Sequence, residues 1–306
     1  AKLAHGLADD VVSTTFLAAE SPVIVAPAME SRMWQHPATQ RNLETLRSWG
    51  VTVVEPEAGH LASGAQGIGR LAEPISVVET IREVLGRDGP LAGRRVIVTA
   101  GPTREAIDPV RYISNHSSGR MGYAIAEAAR DLGAQVTLVS GPTALPSPAG
   151  VQLVAVTSTR EMRDAVFEFL ADADAIVGSA AVADYRPSTS STEKIKKDEG
   201  GLSLELVQNP DILLDVKAWK ESGGLRRPVV IGFAAETHKL AENAQSKLVR
   251  KGMDMIVANP VPATFGADMI QPTLIQPNRP PEELPALTKT ELADNIADRL
   301  AELLRE

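Results

Sequence analysis

Cysteine is absent from all 306 residues, which removes disulfides, thiolate zinc sites and thiol chemistry from anything this chain does by itself. Aromatic residues are scarce: three Trp, three Tyr and five Phe. The core must then be built from Ala, Val, Ile and Leu, the usual filling of α/β sheets. No apolar run approaches the ~18 residues of a membrane-spanning helix, so no membrane partner is expected. Positive charge is not in excess either, with 31 Lys and Arg against 39 Asp and Glu and a net charge of −8. Nucleic-acid binding is therefore not expected, although helix N-termini and a few lysines suffice to bind phosphate locally. The chain opens on Ala1 with no signal-like segment, and a soluble, cytoplasmic protein is expected.

What is present is an apolar fraction of 43%, ample for a core, in a length that suits about two domains at ~150 residues each. Pro22–Ala26 and Val51–Glu55 read as strands, with helices over His36–Trp49 and Ile75–Leu85. Between them the Gly-rich stretch Glu57–Arg70 reads as a mobile flap, and Gly86–Pro90 as a linker. A second α/β series begins at Arg95–Gly101. Helices follow near 119–132, 159–171, 211–220, 238–251 and 289–304. Strands are expected near 135–139, 173–178, 203–207, 228–233 and 254–258. Such alternation predicts a doubly wound parallel sheet.

Ligands of open parallel sheets bind beyond the carboxyl ends of the strands. The first strand of the second series runs into Gly101-Pro-Thr-Arg104, and Ser114-Asn-His-Ser-Ser-Gly-Arg-Met-Gly122 opens a helix. Small residues there supply N–H groups for an anion, although Gly and Ser also serve as ordinary turn and cap residues. A dinucleotide fingerprint does not fit: about 18 residues separate the strand end from Gly119, and the next strand ends Val139-Ser140-Gly141 without an acid. Ser179-Ala-Ala-Val-Ala-Asp-Tyr-Arg186 follows another strand. Its small residues admit a planar base, and Asp184 can accept from ribose hydroxyls. Glu193-Lys-Ile-Lys-Lys197 is a basic knot that reads as a solvated face or as a flap over phosphates. Asn209-Pro-Asp-Ile212 and Gly232-Phe-Ala-Ala-Glu-Thr237 follow further strands and bring Phe233 to the same sheet edge.

Together the continuous stretch 99–122 and the four later segments, over about residues 91–304, resemble the ligase half of the bifunctional phosphopantothenoylcysteine decarboxylase/phosphopantothenate–cysteine ligase family of coenzyme A biosynthesis. Residues 1–85 resemble the C-terminal part of its flavin-dependent decarboxylase unit. There Pro27-Ala-Met-Glu-Ser-Arg-Met-Trp34 is similar to a P-x-M-N-x-x-M-W motif, with Glu30 after Met29 in place of Asn. Ser63 stands where the family's flap carries a proton-donating Cys. The resemblance implies a Rossmann-like doubly wound sheet over residues 89–306, preceded by a partial flavodoxin-like α/β unit over 1–88.

It further implies CTP-dependent joining of 4′-phosphopantothenate and L-cysteine through an acyl-cytidylate, with Mg²⁺ accompanying CTP at ligands the sequence does not identify. Asn115 and Lys194 would be catalytic. Gly178, Ser179, Ala180, Asp184, Lys194, Asn209, Pro210, Asp211, Ile212, Phe233, Lys247 and Lys251 would bind CTP. Ser117, Ser118 and Gly119 would hold the substrate phosphate. FMN is expected only with a complete decarboxylase unit, and decarboxylation by this chain is expected to be doubtful. A homo-oligomer with dimeric ligase units is implied; the alternative is a non-catalytic flavoprotein-like oligomerisation subunit.

Overall fold

A computed structural model describes residues 1–196, 201–223, 227–236, 240–260 and 269–305. The chain divides into two compact units, Ala1–Arg87 and Asp88–Glu306. In the first, helices α1 (Lys2–His5) and α2 (Val11–Ala18) precede strand β1 (Ile24–Val25), then α3 (Ser31–Trp34), α4 (Pro37–Ser48), β2 (Thr52–Val53), β3 (Glu57–His60), β4 (Gln66–Arg70) and α5 (Pro74–Gly86). β1 and β2 pair in parallel, and Ala4, Leu46 and Val51 form a small core beside them. Both strands are only two residues long, shorter than the apolar runs suggested.

The Gly-rich stretch read as a flap is a β-hairpin. β3 pairs antiparallel with β4, Gly59 opposite Gly67, and Arg70 is bonded to Glu57 and Glu73. The segment carrying Met29 and Glu30 docks on it. The Met29 N–H donates to Gly69 O (2.9 Å) and the Ser31 hydroxyl to Ile68 O (2.6 Å). Gly69 is required there, because a Cβ would lie 2.0 Å from Met29 O and its φ is +145°. Ser63 is exposed at the hairpin tip, its Oγ accepting from the Ala65 N–H.

The second unit continues with β5 (Arg95–Ala100), β6 (Arg104–Ala106), β7 (Tyr112–Ser114), α6 (Arg120–Asp131), β8 (Gln135–Ser140), β9 (Gln152–Ala155), α7 (Thr159–Leu170), β10 (Ala175–Gly178), β11 (Tyr185–Pro187) and β12 (Leu206–Gln208). Then come α8 (Ile212–Glu221), β13 (Val229–Glu236), α9 (Leu240–Lys251), β14 (Met255–Pro260), β15 (Met269–Ile270), β16 (Thr273–Ile275), β17 (Glu282–Glu283), β18 (Leu287–Thr288) and α10 (Lys289–Leu303). The main sheet has the order β17-β16-β14-β13-β10-β5-β8-β9. From β9 to β14 its strands are parallel and follow the doubly wound order 3-2-1-4-5-6; β16 and β17 extend one edge antiparallel.

Alternation along β5 explains the two layers. Val96, Val98 and Ala100 face a core shared with α6 and α10, while Ile97 faces one shared with α7, α8 and α9. Each fully buried Val, Ile or Leu contributes roughly 1.5–3 kcal/mol through area removed from water. One expectation is corrected here. The strand near 203–207 is not part of the main sheet: β12 pairs antiparallel with β11 in a separate ribbon. The expected doubly wound parallel sheet is present, and β16 and β17 add an antiparallel edge to it. Among the described residues, no helix is long and apolar enough to cross a membrane.

Candidate functional site

β8 and β10 leave β5 on opposite sides, so a crevice opens at the carboxyl ends of β5 and β10. A cavity of about 1150 Å³ lies there. Three stretches wall it, 116–122, 178–185 and 208–214, with Phe233 and Asn259 from β13 and β14 and Lys247, Arg250 and Lys251 from α9. α6 reaches it closely because Gly122 lacks a side chain; a Cβ would lie 2.5 Å from that of Ala100 and 2.6 Å from Ser179 Oγ. The N-cap of α6 is Gly119, with no side-chain cap, which leaves the helix start open toward an anion.

The structure brings Ser117, Ser118, Gly119, Gly178, Ser179, Ala180, Asp184, Asn209, Pro210, Asp211, Ile212, Phe233, Lys247 and Lys251 to this cavity. Several have internal partners. Ser179 donates its hydroxyl to Thr99 O (2.6 Å), and the Ala180 N–H donates to Thr99 Oγ1 (3.3 Å). The Asn209 amide donates to Thr159 Oγ1 and Ala183 O, while its Oδ1 accepts from Arg186. Asp211 caps α8 by accepting from the Leu214 N–H, and Lys251 lies 2.8 Å from its carboxylate. Lys251 is therefore already paired within the cavity wall. Asp184 is exposed at the cavity.

Asn115 and Lys194 do not line the cavity. The Asn115 Nδ2 donates to Ala181 O (3.1 Å) and Val182 O (3.0 Å), so both amide hydrogens tie its loop to the cavity wall. Lys194 is exposed beside Ile195, whose backbone is clasped from a distant part of the chain. The buried Asp108 accepts from the Ile195 N–H (3.2 Å), and Arg111 donates to Ile195 O (2.8 Å). Lys197 and Thr237 of the sequence motifs lie outside the described residues.

Sequence reasoning missed His116, Arg120, Asn259 and Lys289 in the wall. His116 and Arg120 lie inside the segment already singled out, and Asn259 sits where a parallel strand meets the sheet's carboxyl edge. Its Oδ1 is buried with no hydrogen-bond partner among the described residues, an acceptor left for a ligand donor.

The Arg111 guanidinium, with the backbone N–H groups of Val110, Arg111 and Ile195, holds the Asp108 carboxyl well below the usual aspartate range despite its burial. A depressed value stabilises the ionised fold above the ordinary aspartate pKa of about 4, and that contribution is lost as pH falls through the lowered value. Asp108→Asn is therefore expected to lower the melting midpoint at neutral pH, with the difference shrinking on strong acidification. Parallel thermal melts across pH check this; a constant difference would sink it.

The family of DNA/pantothenate metabolism flavoprotein C-terminal domains matches residues 91–304, and the flavoprotein family matches residues 1–86. The coenzyme A biosynthesis bifunctional protein CoaBC of Bacillus subtilis (strain 168) is 43% identical over all of this chain and 75% of its own length. The chain belongs to the CoaBC family. The CoaBC protein of Vibrio cholerae is 49% identical over 85% of this chain, which spans 65% of that relative. A crystal structure of the C-terminal domain of a CoaBC protein, 42% identical, covers 71% of this chain and 98% of its own with a TM-score of 0.60. The match over residues 1–86 gives no support to the expectation that decarboxylation is doubtful, because a flavoprotein domain is present there.

The first unit would hold a flavin phosphate elsewhere than at three of its helix starts. Its helices α2, α3 and α5 start from Asp10, Glu30 and Glu73, whose negative charge opposes an anion at those ends. Nor is there a group of three or more His, Asp or Glu among the described residues that suits a metal ion. No step is assigned to either group.

Proposed function

We propose that residues 89–306 join the carboxylate of 4′-phosphopantothenate to the amine of L-cysteine, at the expense of CTP. The supporting observation is the cavity at the β5/β10 switch point, where a small-residue wall stands opposite cationic side chains in a protein of net charge −8. A carboxylate cannot lose oxide at neutral pH and must first be activated. Its oxygen attacks the α-phosphorus of CTP, pyrophosphate leaves, and an acyl-cytidylate forms. The cysteine nitrogen then attacks the acyl carbon, loses a proton and expels CMP.

The chain's work is to orient and neutralise. The narrow wall Gly178–Ala180 receives the base, and Asp184 holds the ribose. Residues 209–212 and Phe233 close the pocket. Lys247 and Lys251 meet the phosphates, which bring Mg²⁺ with them, and Lys194 reaches toward them from its exposed position outside the lining. The open start of α6, with Ser117, Ser118 and Gly119, receives the substrate phosphate. Asn115 fixes the loop between the two subsites. The first unit is read as the C-terminal part of a flavin-dependent decarboxylase that takes FMN, in a cytoplasmic protein.

Mixing the protein with CTP, phosphopantothenate and cysteine is expected to release pyrophosphate and CMP, with ATP a poorer donor. No pyrophosphate would leave the non-catalytic oligomerisation reading. Lys194→Ala is expected to weaken CTP use by ~1.5–3 kcal/mol, the worth of a charged hydrogen bond, with folding unaffected because the side chain is exposed. Unchanged CTP kinetics would remove Lys194 from the site. The ligase units are expected to pair as dimers in a homo-oligomer, and light scattering that reads a monomer at micromolar concentration would overturn this.

A further inference from the structure

Behind the cavity wall lies a polar cluster that the reaction does not use directly. Thr103 and Thr159 are fully buried, and Glu105 is 4% exposed. Glu105 Oε1 accepts from the Thr159 N–H (2.9 Å) and from the Thr159 hydroxyl (2.7 Å) at the start of α7. A hydroxyl has one hydrogen. Committed to Glu105, the Thr159 oxygen must accept from its other neighbours, the Thr103 hydroxyl (3.1 Å) and Asn209 Nδ2 (3.2 Å). The alternative acceptor for that hydrogen, Ala183 O, is farther away at 3.5 Å. Thr103 then accepts from the Ala183 N–H (3.0 Å), and the second Asn209 amide hydrogen goes to Ala183 O (2.8 Å). The two hydroxyls of the chain thus donate in one direction, Thr103 to Thr159 and Thr159 to the buried Glu105 side chain.

We propose that Glu105, acting through the Thr159 hydroxyl, is a positioning residue that fixes the direction of the hydrogen bonds holding Ala183 and Asn209 in the cavity wall. It touches no ligand. The inference rests on the ligase reading only in taking CTP as the cavity's nucleotide. Removing the Thr159 hydroxyl takes a partner from three groups at once: the buried Thr103 hydroxyl loses its acceptor, Asn209 Nδ2 is left with Ala183 O alone, and Glu105 Oε1 with the Thr159 N–H alone. A simple packing role would favour the isosteric Thr159→Val over Thr159→Ser, which loses the γ-methyl, the reverse of the order expected here.

The test uses the full chain and titrates CTP calorimetrically alongside steady-state kinetics. Thr159→Val is expected to raise the CTP Kd and KM roughly ten- to a hundredfold, the cost of orphaned buried polar groups. The KM for cysteine should stay unchanged and Thr159→Ser should remain within about twofold of the parent. Glu105→Gln, which keeps an acceptor but adds an unpartnered amide N–H₂, is expected to weaken CTP as well. Wild-type CTP affinity in folded Thr159→Val, or equal impairment of the Ser and Val variants, overturns the proposal. If Thr159→Val does not fold, Glu105→Gln decides, and unchanged CTP affinity there overturns it equally. If the parent protein binds no CTP, the ligase reading falls instead. Hydrogen exchange at the Asn209 side-chain amide, slow in the parent and fast in Glu105→Gln, then decides the positioning claim alone; equal rates overturn it.

Discussion

Asn115→Asp is expected to cut turnover by about one to two orders of magnitude, since it removes two hydrogen bonds that hold the cavity wall, and a polar group left without its partner costs ~1–3 kcal/mol. The native amide spends both hydrogens on Ala181 O and Val182 O. An aspartate has none to give and sets a negative charge against two carbonyl oxygens, beside anionic reactants. Because those carbonyls belong to the wall beside Gly178–Ala180, the loss is expected already in pyrophosphate release. Rapid-quench assays of the two half-reactions read this. Acyl-cytidylate that forms normally and then accumulates would move Asn115 to the second step. Parent rates in both would make the loop a turn and nothing more.

Ile125→Ala is expected to destabilise the second unit by ~2–5 kcal/mol, the range for truncating a large buried aliphatic. Ile125 has no exposed surface and sits in the core where α6 meets the sheet and α10. The surrounding residues include Ala126, Ala129, Ala293 and Ala297, which are too short to fill the void. For a unit of this size each kcal/mol moves the melting midpoint by roughly 2–4 °C. Scanning calorimetry that finds no shift would mean the core collapses around the cavity. The site should suffer less than the fold, because Ile125 itself does not line the cavity.

The parts of this architecture that the sequence made legible are those governed by periodicity. β5 was readable because Val96, Ile97 and Val98 are buried on both faces, and α6 because its buried positions recur at helical spacing. Short elements with little buried surface escaped: the edge strand β9 shows two exposed residues out of its first two, and no interior signal separates it from a loop. β12 was seen as a strand and misassigned to the sheet, since three residues carry the same composition in a ribbon as in a core.

The candidate residues were legible through motif order, not through their contacts. Asp211 and Lys251 meet across 40 residues, and Asp108 reaches Ile195 across 87. Neither spacing has a local signature, so the occupied state of Lys251 and the tether beneath Lys194 became visible only in three dimensions.

The pairing of Lys251 with Asp211 gives the cavity its own counter-ion. An incoming phosphate exchanges with a carboxylate that is fixed to the start of α8, not with loosely held solvent ions. Affinity at this cation is then a difference between two anions, and displaced Asp211 keeps its bond to the Leu214 N–H as its compensation. Fewer mobile ions are set free than the number of lining cations would suggest. Nucleotide affinity should accordingly decline more gently with added salt than that count implies, which a salt titration reads directly.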